Sequence, residues 1–339
     1  MHAMAGAFQY ALNRRKWVHS FYKIMAVEQA NRNTETNGNS KAIVFARHET
    51  FHPRFGWLKK GFDRASIDSE IFLREDAPVR LGVGKNMVRS IRYWCSAFKL
   101  LKDDQPTEFG HQLLGQEGWD SYLEDPASLW LLHWKLLEAP NLATAWDVAF
   151  NYFRQVEFTT EDLFYQLCEY RDREAPRISE SSLRKDVSCI LRMYVVQPSG
   201  KAQVSEDSLD CPFTELGLIH TAGDSRHYLF RVGQKPNLPP EVVVYACLQH
   251  HARTGSPAKT MPIANLLYDL GSPGLVFKLT ESAICNAIEV MARRWEQIRL
   301  SDAAGKLQFS FEGEPLSLAA AILDGYYRFS SGDAPRTGR

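Results

Sequence analysis

The apolar and basic positions of residues 81–102, LGVGKNMVRSIRYWCSAFKLLK, repeat with the period of a helix. Apolar side chains recur there at intervals of three and four residues, and they are Val88, Ile91, Cys95 and Phe98. A second stripe beside them is basic and consists of Lys85, Arg89, Arg92 and Lys99. Between Arg80 and Lys102 the chain has six basic residues and no acidic one. The pattern therefore predicts an amphipathic helix with a strongly basic side.

A comparable helix, ISESSLRKDVSCILRMYVV, is predicted over residues 178–196, where Arg184 takes the place that Arg89 has in the first helix. Both helices close on an apolar pair and are followed, after a variable stretch, by T-E-F-G or T-E-L-G. A third helix over residues 279–300 leads into the turn DAAG and the strand KLQFSF. A helix followed by a strand, a tight turn and a second strand is typical of the winged helix-turn-helix.

We predict a mainly α fold with a minor α+β character, built from about three winged-helix-like units that Trp- and Leu-rich helices join. Thr159 or Thr160 is the predicted N-cap of EDLFYQLCEYR, and Pro240 opens a further helix. Residues 125–153 are dense in Trp and Leu and are predicted to form a core helix pair between domains. The aromatic stripe in this pair is typical of packing rather than of base stacking, and it consists of Trp130, His133 and Trp134.

The predicted domain boundaries follow these patterns. The first 40 residues end in the polar tract EQANRNTETNGNS, which predicts a disordered segment or a start-site extension (1–40). The next run, KAIVFA, predicts a strand because it is rich in β-branched and aromatic residues. The further regions are an N-terminal winged-helix-like domain that contains HETFHPRFGW (41–125), central helices with a second winged-helix-like unit (126–235), a C-terminal winged-helix-like unit (236–330) and a disordered tail (331–339).

Composition excludes a global electrostatic attraction to nucleic acid or membrane, because Lys+Arg and Asp+Glu both number 40. A polyanionic partner therefore has to meet a local basic patch. The six cysteines lie far apart without a C-x-x-C pair, which is typical of reduced thiols in an intracellular protein. No apolar run is long enough for a membrane span, and the N-terminus lacks the pattern of a signal peptide. We expect a soluble, cytoplasmic protein with no membrane partner.

The segment HETFHPRFGW at residues 48–57 contains H-E-x-x-H, the pattern of zinc peptidases. That pattern works because a helix places both imidazoles on one side of the metal. Pro53 disfavours helical backbone at His52, and the preceding KAIVFA predicts a strand. We therefore expect no structural zinc.

The same segment, as a loop, has the groups that phosphodiester cleavage requires. We expect general acid–base or phosphate-stabilising roles for His48, Glu49, His52 and Lys59, and DNA contacts for Arg47, Arg54 and Lys60. The alternative is a polar loop that satisfies its own hydrogen bonds. Carboxylates are the ligands that Mg²⁺ prefers, so a magnesium ion is the cofactor to consider, although the ligand set stays open. The candidate ligands are Asp63, Asp68 and Glu70, while Glu49 can either orient an imidazole or hold the ion.

LGVGKN at residues 81–86 is not a nucleotide-binding P-loop, because Val79 and Asn86 stand where that motif requires Gly and Ser or Thr. Gly84 instead begins the basic helix, whose N-terminus favours an anion. We expect DNA contacts from Lys85, Asn86, Arg89 and Arg92. A solvated helix face is the alternative.

Four stretches resemble a bacterial family long catalogued as a domain of unknown function, whose members include SspB of the single-stranded DNA phosphorothioation (Ssp) defence system. They are ARHETFHPRFGWLKKGFD, LGVGKNMVRSIRYWC, TEFGHQLL and SYLEDPASLWLLHW. The resemblance runs from about Ala46 to Asp324. It implies a DNA-nicking protein that acts with an SspC-like ATPase, an SspD-like sulfurtransferase and a cysteine desulfurase. The family's first motif falls on residues 48–59, and its second falls on residues 85–92.

Three functions follow from the residues and the resemblance together. One is a DNA-binding endonuclease that nicks one strand and acts in phosphorothioate modification and anti-phage defence. The second is a non-catalytic DNA-binding adaptor that positions the sulfur-inserting proteins, and the third is a winged-helix transcription regulator. A homodimer also stays open.

Overall fold

The structure is a computed structural model that describes residues 43–196, 211–223, 226–303 and 305–330. All of these residues belong to one compact unit, which begins at Ile43. This unit is mainly helical with three small antiparallel sheets, which confirms the predicted mainly α fold with a minor α+β character. The segments predicted to be disordered at either end (1–40 and 331–339) lie outside the described residues. In the described part of the chain, no helix is long and apolar enough to cross a membrane.

The first third of the described chain is a group of short helices followed by one small hairpin. A 3-10 turn at Ile71–Leu73 separates its first two helices. The elements are α1 (Trp57–Ile67), α2 (Ala77–Leu81), α3 (Lys85–Ala97), β1 (Leu101–Lys102), β2 (Gln105–Pro106) and α4 (Glu108–Leu114).

Helix α3 is therefore shorter than the helix that the apolar period predicted over residues 81–102. Gly82 ends α2 in the left-handed region (φ 62°), and Gly84 is the N-cap of α3. At the other end, Lys99 has φ 63° and lies beyond the helix. A turn at each end, rather than a change in hydrophobic pattern, sets these boundaries.

The middle third begins with buried helices and continues into a three-stranded sheet. A π-helix at Val148–Tyr152 extends the short helix α6, and a 3-10 turn at Pro212–Leu216 follows α8. Thr159, one of the two predicted N-caps, is the N-cap of α7, and it forms a capping box with Asp162. The elements are α5 (Pro126–Leu136), α6 (Thr144–Asp147), β3 (Glu157–Thr159), α7 (Thr160–Glu174), α8 (Glu180–Tyr194), β4 (Ile219–Thr221) and β5 (His227–Phe230).

The last third repeats the order of strand, helices and two strands. Its two long strands form a regular hairpin, with Ile298 opposite Phe311 and Ala303 opposite Lys306. The elements are α9 (Pro240–Arg253), β6 (Thr260–Pro262), α10 (Ile263–Tyr268), α11 (Pro273–Val276), α12 (Glu281–Ala292), β7 (Ile298–Ala303), β8 (Lys306–Phe311) and α13 (Pro315–Ser330).

The two three-stranded sheets share one topology. Their strand orders are β3-β5-β4 and β6-β8-β7, so the last strand of each lies between the other two. In both, the first strand leads into helices and the second and third strands form a hairpin. The first third has only the two-stranded sheet β1-β2 at the corresponding place.

One buried apolar cluster runs through all three parts, and α5 lies within it. Trp130, His133 and Trp134 are each at most 1% exposed, which confirms that this stripe is packing. His133 Nε2 donates to the carbonyl of Val276 at 2.9 Å, so Nδ1 accepts from the Tyr194 hydroxyl at 2.8 Å. Burial lowers the pKa of His133 to about 3. This imidazole is therefore neutral, and its hydrogen bonds join α5 to α8 and α11.

KAIVFA does not form the predicted strand: its described residues have no regular secondary structure, and Val44 pairs with the start of a helix. The N–H of Val44 donates to Thr144 Oγ1 at 2.9 Å, and the N–H of Thr144 donates to the carbonyl of Val44 at 3.3 Å. Thr144 is the first residue of α6, where backbone N–H groups lack partners within the helix. The start of a helix, and not a neighbouring strand, thus supplies the hydrogen-bond partners of Val44.

The repeated T-E-[FL]-G motif has a different role at each site. Gly110 lies inside α4, and a Cβ built on it would lie 2.4 Å from the carbonyl oxygen of Leu100. Gly217 instead ends a 3-10 turn with φ 57°. The first glycine is needed for close packing and the second for its backbone conformation.

We expect Gly110→Ala to lower the free energy of unfolding by about 1–3 kcal/mol, because the new methyl group must push α4 away from Leu100. Gly325→Ala in α13 is the matched control, since a Cβ there meets only Trp295 at 3.4 Å. Alanine is the better helix former by about 1 kcal/mol, so the control should be neutral or stabilising. Urea denaturation of both variants measures this, and equal stability of Gly110→Ala and the wild type would contradict it.

Candidate nucleic-acid interface

The H-E-x-x-H segment begins in a turn and not in a helix. Ala46, Glu49 and Thr50 have φ values of 54°, 51° and 68°, all in the left-handed region that non-glycine residues seldom adopt. The N–H of Phe51 donates to the carbonyl of His48 at 2.9 Å and closes this turn. The two histidines therefore do not have the helical spacing on which the zinc motif depends.

His48 lies inside the protein, with none of its surface exposed. Its Nε2 atom is 2.7 Å from Oδ1 of Asp186 in α8. The imidazole stacks on Trp94 with ring centroids 6.1 Å apart, and Trp146 meets it edge-on at 5.7 Å. Burial raises the pKa of the Asp186 carboxyl, while the hydrogen bond from His48 opposes that shift. His48 thus pairs with an acid in the core and not with solvent.

The same carboxylate also fixes the backbone of the turn. The N–H of Ala46 donates to both oxygens of Asp186, at 3.0 and 3.1 Å. On the other side, Nε1 of Trp94 in α3 donates to the carbonyl of Phe51 at 3.0 Å. Helices α3 and α8 therefore hold residues 46–51 from two directions.

Two arginines contact the turn at the surface. Arg89 Nη1 of α3 is 3.8 Å from Oε1 of Glu49. Arg192 Nη2 of α8 donates to the carbonyl of Thr50 at 2.6 Å. Glu49 and Thr50 are neighbours in the chain, so these contacts connect the exposed sides of the two helices.

Several predicted site residues have partners within the protein. Arg54 is 9% exposed, and its guanidinium lies over the rings of Phe51 and Trp57, at 5.6 and 5.2 Å. Lys59 Nζ donates to Asp63 Oδ1 at 2.7 Å and to the carbonyl of Leu114 at 3.1 Å. These contacts orient both side chains within the protein.

Arg92 is also hydrogen-bonded within the protein and His52 is buried, whereas other predicted site residues face solvent. Arg92 makes a two-point hydrogen bond to Asp104, at 2.8 and 2.6 Å. His52 is 7% exposed, and Lys60 is half-buried. The exposed members of the predicted set are Arg47, Lys85, Asn86 and Arg89. The surface available to a ligand is therefore the beginning of α3 with the adjacent turn, and the predicted roles in catalysis and DNA binding stay predictions.

The structure brings together two motifs that the sequence analysis treated separately. Glu49 belongs to the first motif and Arg89 to the second, and their side chains form an ion pair. Sequence reasoning missed Asp186 and Arg192, which reach the turn from α8. A signal for Asp186 was present, since it is an acid within the apolar face of its helix and therefore requires a buried partner.

The carboxylates considered for Mg²⁺ do not assemble a site. Asp63 pairs with Lys59, and Asp68 pairs with Arg74. Glu70 is exposed, and its backbone N–H donates to Asp68. Within the described ranges, no group of three or more His, Cys, Asp or Glu residues is arranged to hold a metal ion. These donors do not fit a magnesium ion, and we assign no chemical step to one.

Comparison with known proteins supports the resemblance seen in the motifs. The sequence matches the family described as "Protein of unknown function (DUF4007)" over residues 45–327. Two crystal structures of SspB, one of them bound to a magnesium ion, are 39% and 38% identical to this chain, each with a TM-score of 0.79. The alignments cover 87–88% of this chain and 91% of each SspB chain. The chain belongs to the SspB family. No curated protein matches this SspB-family chain.

We expect Asp186→Ala to lower the free energy of unfolding by about 3 kcal/mol or more, because it leaves a buried imidazole and the N–H of Ala46 without their acceptor. Asp172→Ala is the matched control: its carboxylate pairs with Arg171 at the surface, where solvent screens the pair. Chemical denaturation should therefore show a large loss only for Asp186→Ala. Equal losses in the two variants would exclude a structural role for the His48–Asp186 pair.

Proposed function

We propose that this protein is the DNA-binding SspB component of a phosphorothioate modification system and contacts DNA through the beginning of α3. The observation that carries this proposal is the exposed basic surface where Lys85 and Arg89 lie next to the turn that contains Arg47. Asn86 is exposed beside them and can hydrogen-bond to bases or phosphates. The family membership supports the choice of DNA as the polyanion.

The position of these residues on α3 also favours a phosphate ligand. The N-cap of α3 is Gly84, whose neighbour Lys85 begins the helix, and no side chain caps the helix. The first backbone N–H groups of a helix have no partner within it, so together with the helix dipole they attract an anion. Lys85 and Arg89 are one turn apart and add positive charge on the same side.

We propose further that the units with strand orders β3-β5-β4 and β6-β8-β7 are winged-helix-like. In winged helices the last helix before the hairpin enters the major groove and the hairpin lies beside it. Helices α8 and α12 have the same place in the order of elements, which by itself assigns no DNA contact to either helix. The order of elements and the central third strand support this interpretation, and the fold by itself does not assign a function.

Charge reversal at Lys85 and Arg89 is expected to weaken binding to duplex DNA and to reduce its dependence on salt, because each lost phosphate contact removes about 0.9 from the salt slope. The matched control is Arg293→Glu with Arg299→Glu, two exposed positions far along the chain. Fluorescence anisotropy over a series of salt concentrations measures both quantities. An unchanged affinity and salt slope in the Lys85→Glu, Arg89→Glu variant would refute DNA binding through α3.

Strand nicking is the second candidate function, and one observation favours testing it at Glu49. Of the four residues predicted to be catalytic, His48 and His52 are buried and Lys59 pairs with Asp63. Glu49 is 35% exposed and lies against Arg89 on the proposed DNA surface. A carboxylate in that position can accept a proton from water near a bound phosphate, with Arg89 neutralising the phosphate charge.

If the chain nicks DNA, Glu49→Gln is expected to slow the conversion of supercoiled plasmid to open circle by about 10²–10⁴-fold, as for loss of a general acid–base group. DNA affinity should stay within a few fold. Glu75→Gln is the control, since Glu75 is exposed and lies outside both motifs. Equal nicking by Glu49→Gln and wild type assigns the reaction to another residue, and no nicking by wild type favours the adaptor function.

The expected partners follow from the same proposal. A protein that binds DNA for sulfur insertion must meet the enzymes that activate and transfer the sulfur. We propose an SspC-like ATPase and an SspD-like sulfurtransferase, with a cysteine desulfurase as the source of sulfur. The adaptor and the nickase need the same partners, so these partners do not distinguish the two functions.

A further inference from the structure

Helix α8 has an exposed strip that resembles the DNA-facing side of α3 in charge. Its opposite side is buried and includes Asp186, which holds the turn at Ala46. The residues of this strip recur at intervals of three and four: Ser181, Arg184, Lys185 and Ser188 are exposed, and Arg192 at its end is half-buried. Three of the five are basic and the other two carry hydroxyl groups, so the whole strip can donate hydrogen bonds to phosphate.

The strip is continuous with the surface proposed to bind DNA. Arg89 of α3 contacts Glu49, the next residue is Thr50, and the carbonyl of Thr50 accepts from Arg192 of α8. Each of these contacts involves residues that are exposed or half-buried. The turn at residues 46–50 is therefore the connection between two basic helix surfaces.

Neighbouring contacts orient the strip, and a carboxylate of α7 compensates the charge of one of its three cations. Arg184 pairs with Glu161 of α7 at 2.9 Å and lies 3.8 Å from the centre of the Phe164 ring. Arg192 is held at its end by the carbonyl of Thr50, which carries no formal charge. Lys185 lies between them and is exposed.

The helix in the same position of the last unit lacks this charge pattern. The exposed residues of α12 include two acids and one amide, and they are Glu281, Ser282, Asn286 and Glu289, with Arg293 at the end of the helix. Such a surface repels phosphate on one part and attracts it on another. The basic strip is therefore a property of α8 and does not follow from the shared topology.

We propose that the exposed strip of α8 is a second contact surface for duplex DNA, continuous with α3 across the turn at residues 46–50. This inference rests on the proposed function. Helix α8 has 15 residues and is about 22 Å long, a distance over which duplex DNA carries about 13 phosphate charges. None of the five strip residues has a large apolar side chain, which favours a nucleic acid over a protein partner.

The test compares two variants with the same change in charge. Lys185→Glu with Ser188→Glu alters the strip, while Asn286→Glu with Arg293→Glu makes an equal change on α12. All four positions are exposed, so both proteins should fold, and matching circular dichroism and melting temperatures check this. The ligand is a 30-base-pair duplex, with the Lys85→Glu, Arg89→Glu variant measured alongside.

We expect the α8 variant to bind the duplex at least tenfold more weakly and to lose about 1–2 from the salt slope, as for one or two phosphate contacts. The α12 variant should bind within twofold of wild type. If the α3 variant loses affinity and the α8 variant does not, the second surface is refuted while the proposed function stands. If none of the variants changes affinity, the proposed function fails as well.

Two further measurements test whether the strip binds duplex DNA rather than another nucleic acid. Single-stranded DNA and duplex RNA of the same length are used as competitors for wild type and the α8 variant. If the α8 substitutions weaken only the binding of single-stranded DNA or only that of duplex RNA, the assignment to duplex DNA is overturned. A truncation series of the duplex adds an independent readout: wild-type affinity should rise until both helices are engaged, and the α8 variant should reach its plateau with a shorter duplex.

Discussion

The hydrogen bond between His48 and Asp186 is the interaction on which the arrangement of the candidate interface depends. It joins groups 138 positions apart in the chain, inside a box of aromatic rings where neither group reaches water. The same carboxylate accepts the N–H of Ala46, so one acid holds both a side chain and a left-handed turn. If the turn moved away, the buried carboxylate of Asp186 would lose its hydrogen-bond donors, and this loss would cost free energy. The surface positions of Glu49 and Thr50, between two basic helices, follow from this constraint.

Basic side chains lie in the core of the protein as well as on its surface. Two other cations are buried where the middle and last thirds meet: Lys278 Nζ donates to the carbonyl of Phe150 at 2.8 Å, and Lys235 Nζ donates to the carbonyl of Lys278 at 2.7 Å. Desolvation lowers the pKa of each to about 7, and the ring of Phe230, 4.5 Å from Lys278 Nζ, favours the charged form. These cations join backbone segments, whereas those of α3 and α8 face solvent. The protein therefore has a locally basic surface although its net charge is zero.

This arrangement changes how the first motif is interpreted. Its histidines suggested acid–base chemistry because imidazole titrates near neutral pH. In the fold, His48 is a partner of Asp186, Arg54 stacks on aromatic rings, and Glu49 is the group that reaches the surface next to Arg89. The motif residues thus divide into those that build the turn and those that a ligand can meet.

The sequence by itself determined most of the helices and the last hairpin, because helix periodicity, the N-cap at Thr159 and the Gly-linked turn depend on residues close together in the chain. It also indicated the basic side of α3 and the packed stripe at His133. The tertiary structure decided which polar groups are buried and which are exposed. Local pattern does not distinguish a catalytic His48 from a structural one, since the difference lies in Asp186, which comes from a distant helix. For the same reason, only the folded chain places Arg192 beside Thr50 and joins the surfaces of α3 and α8.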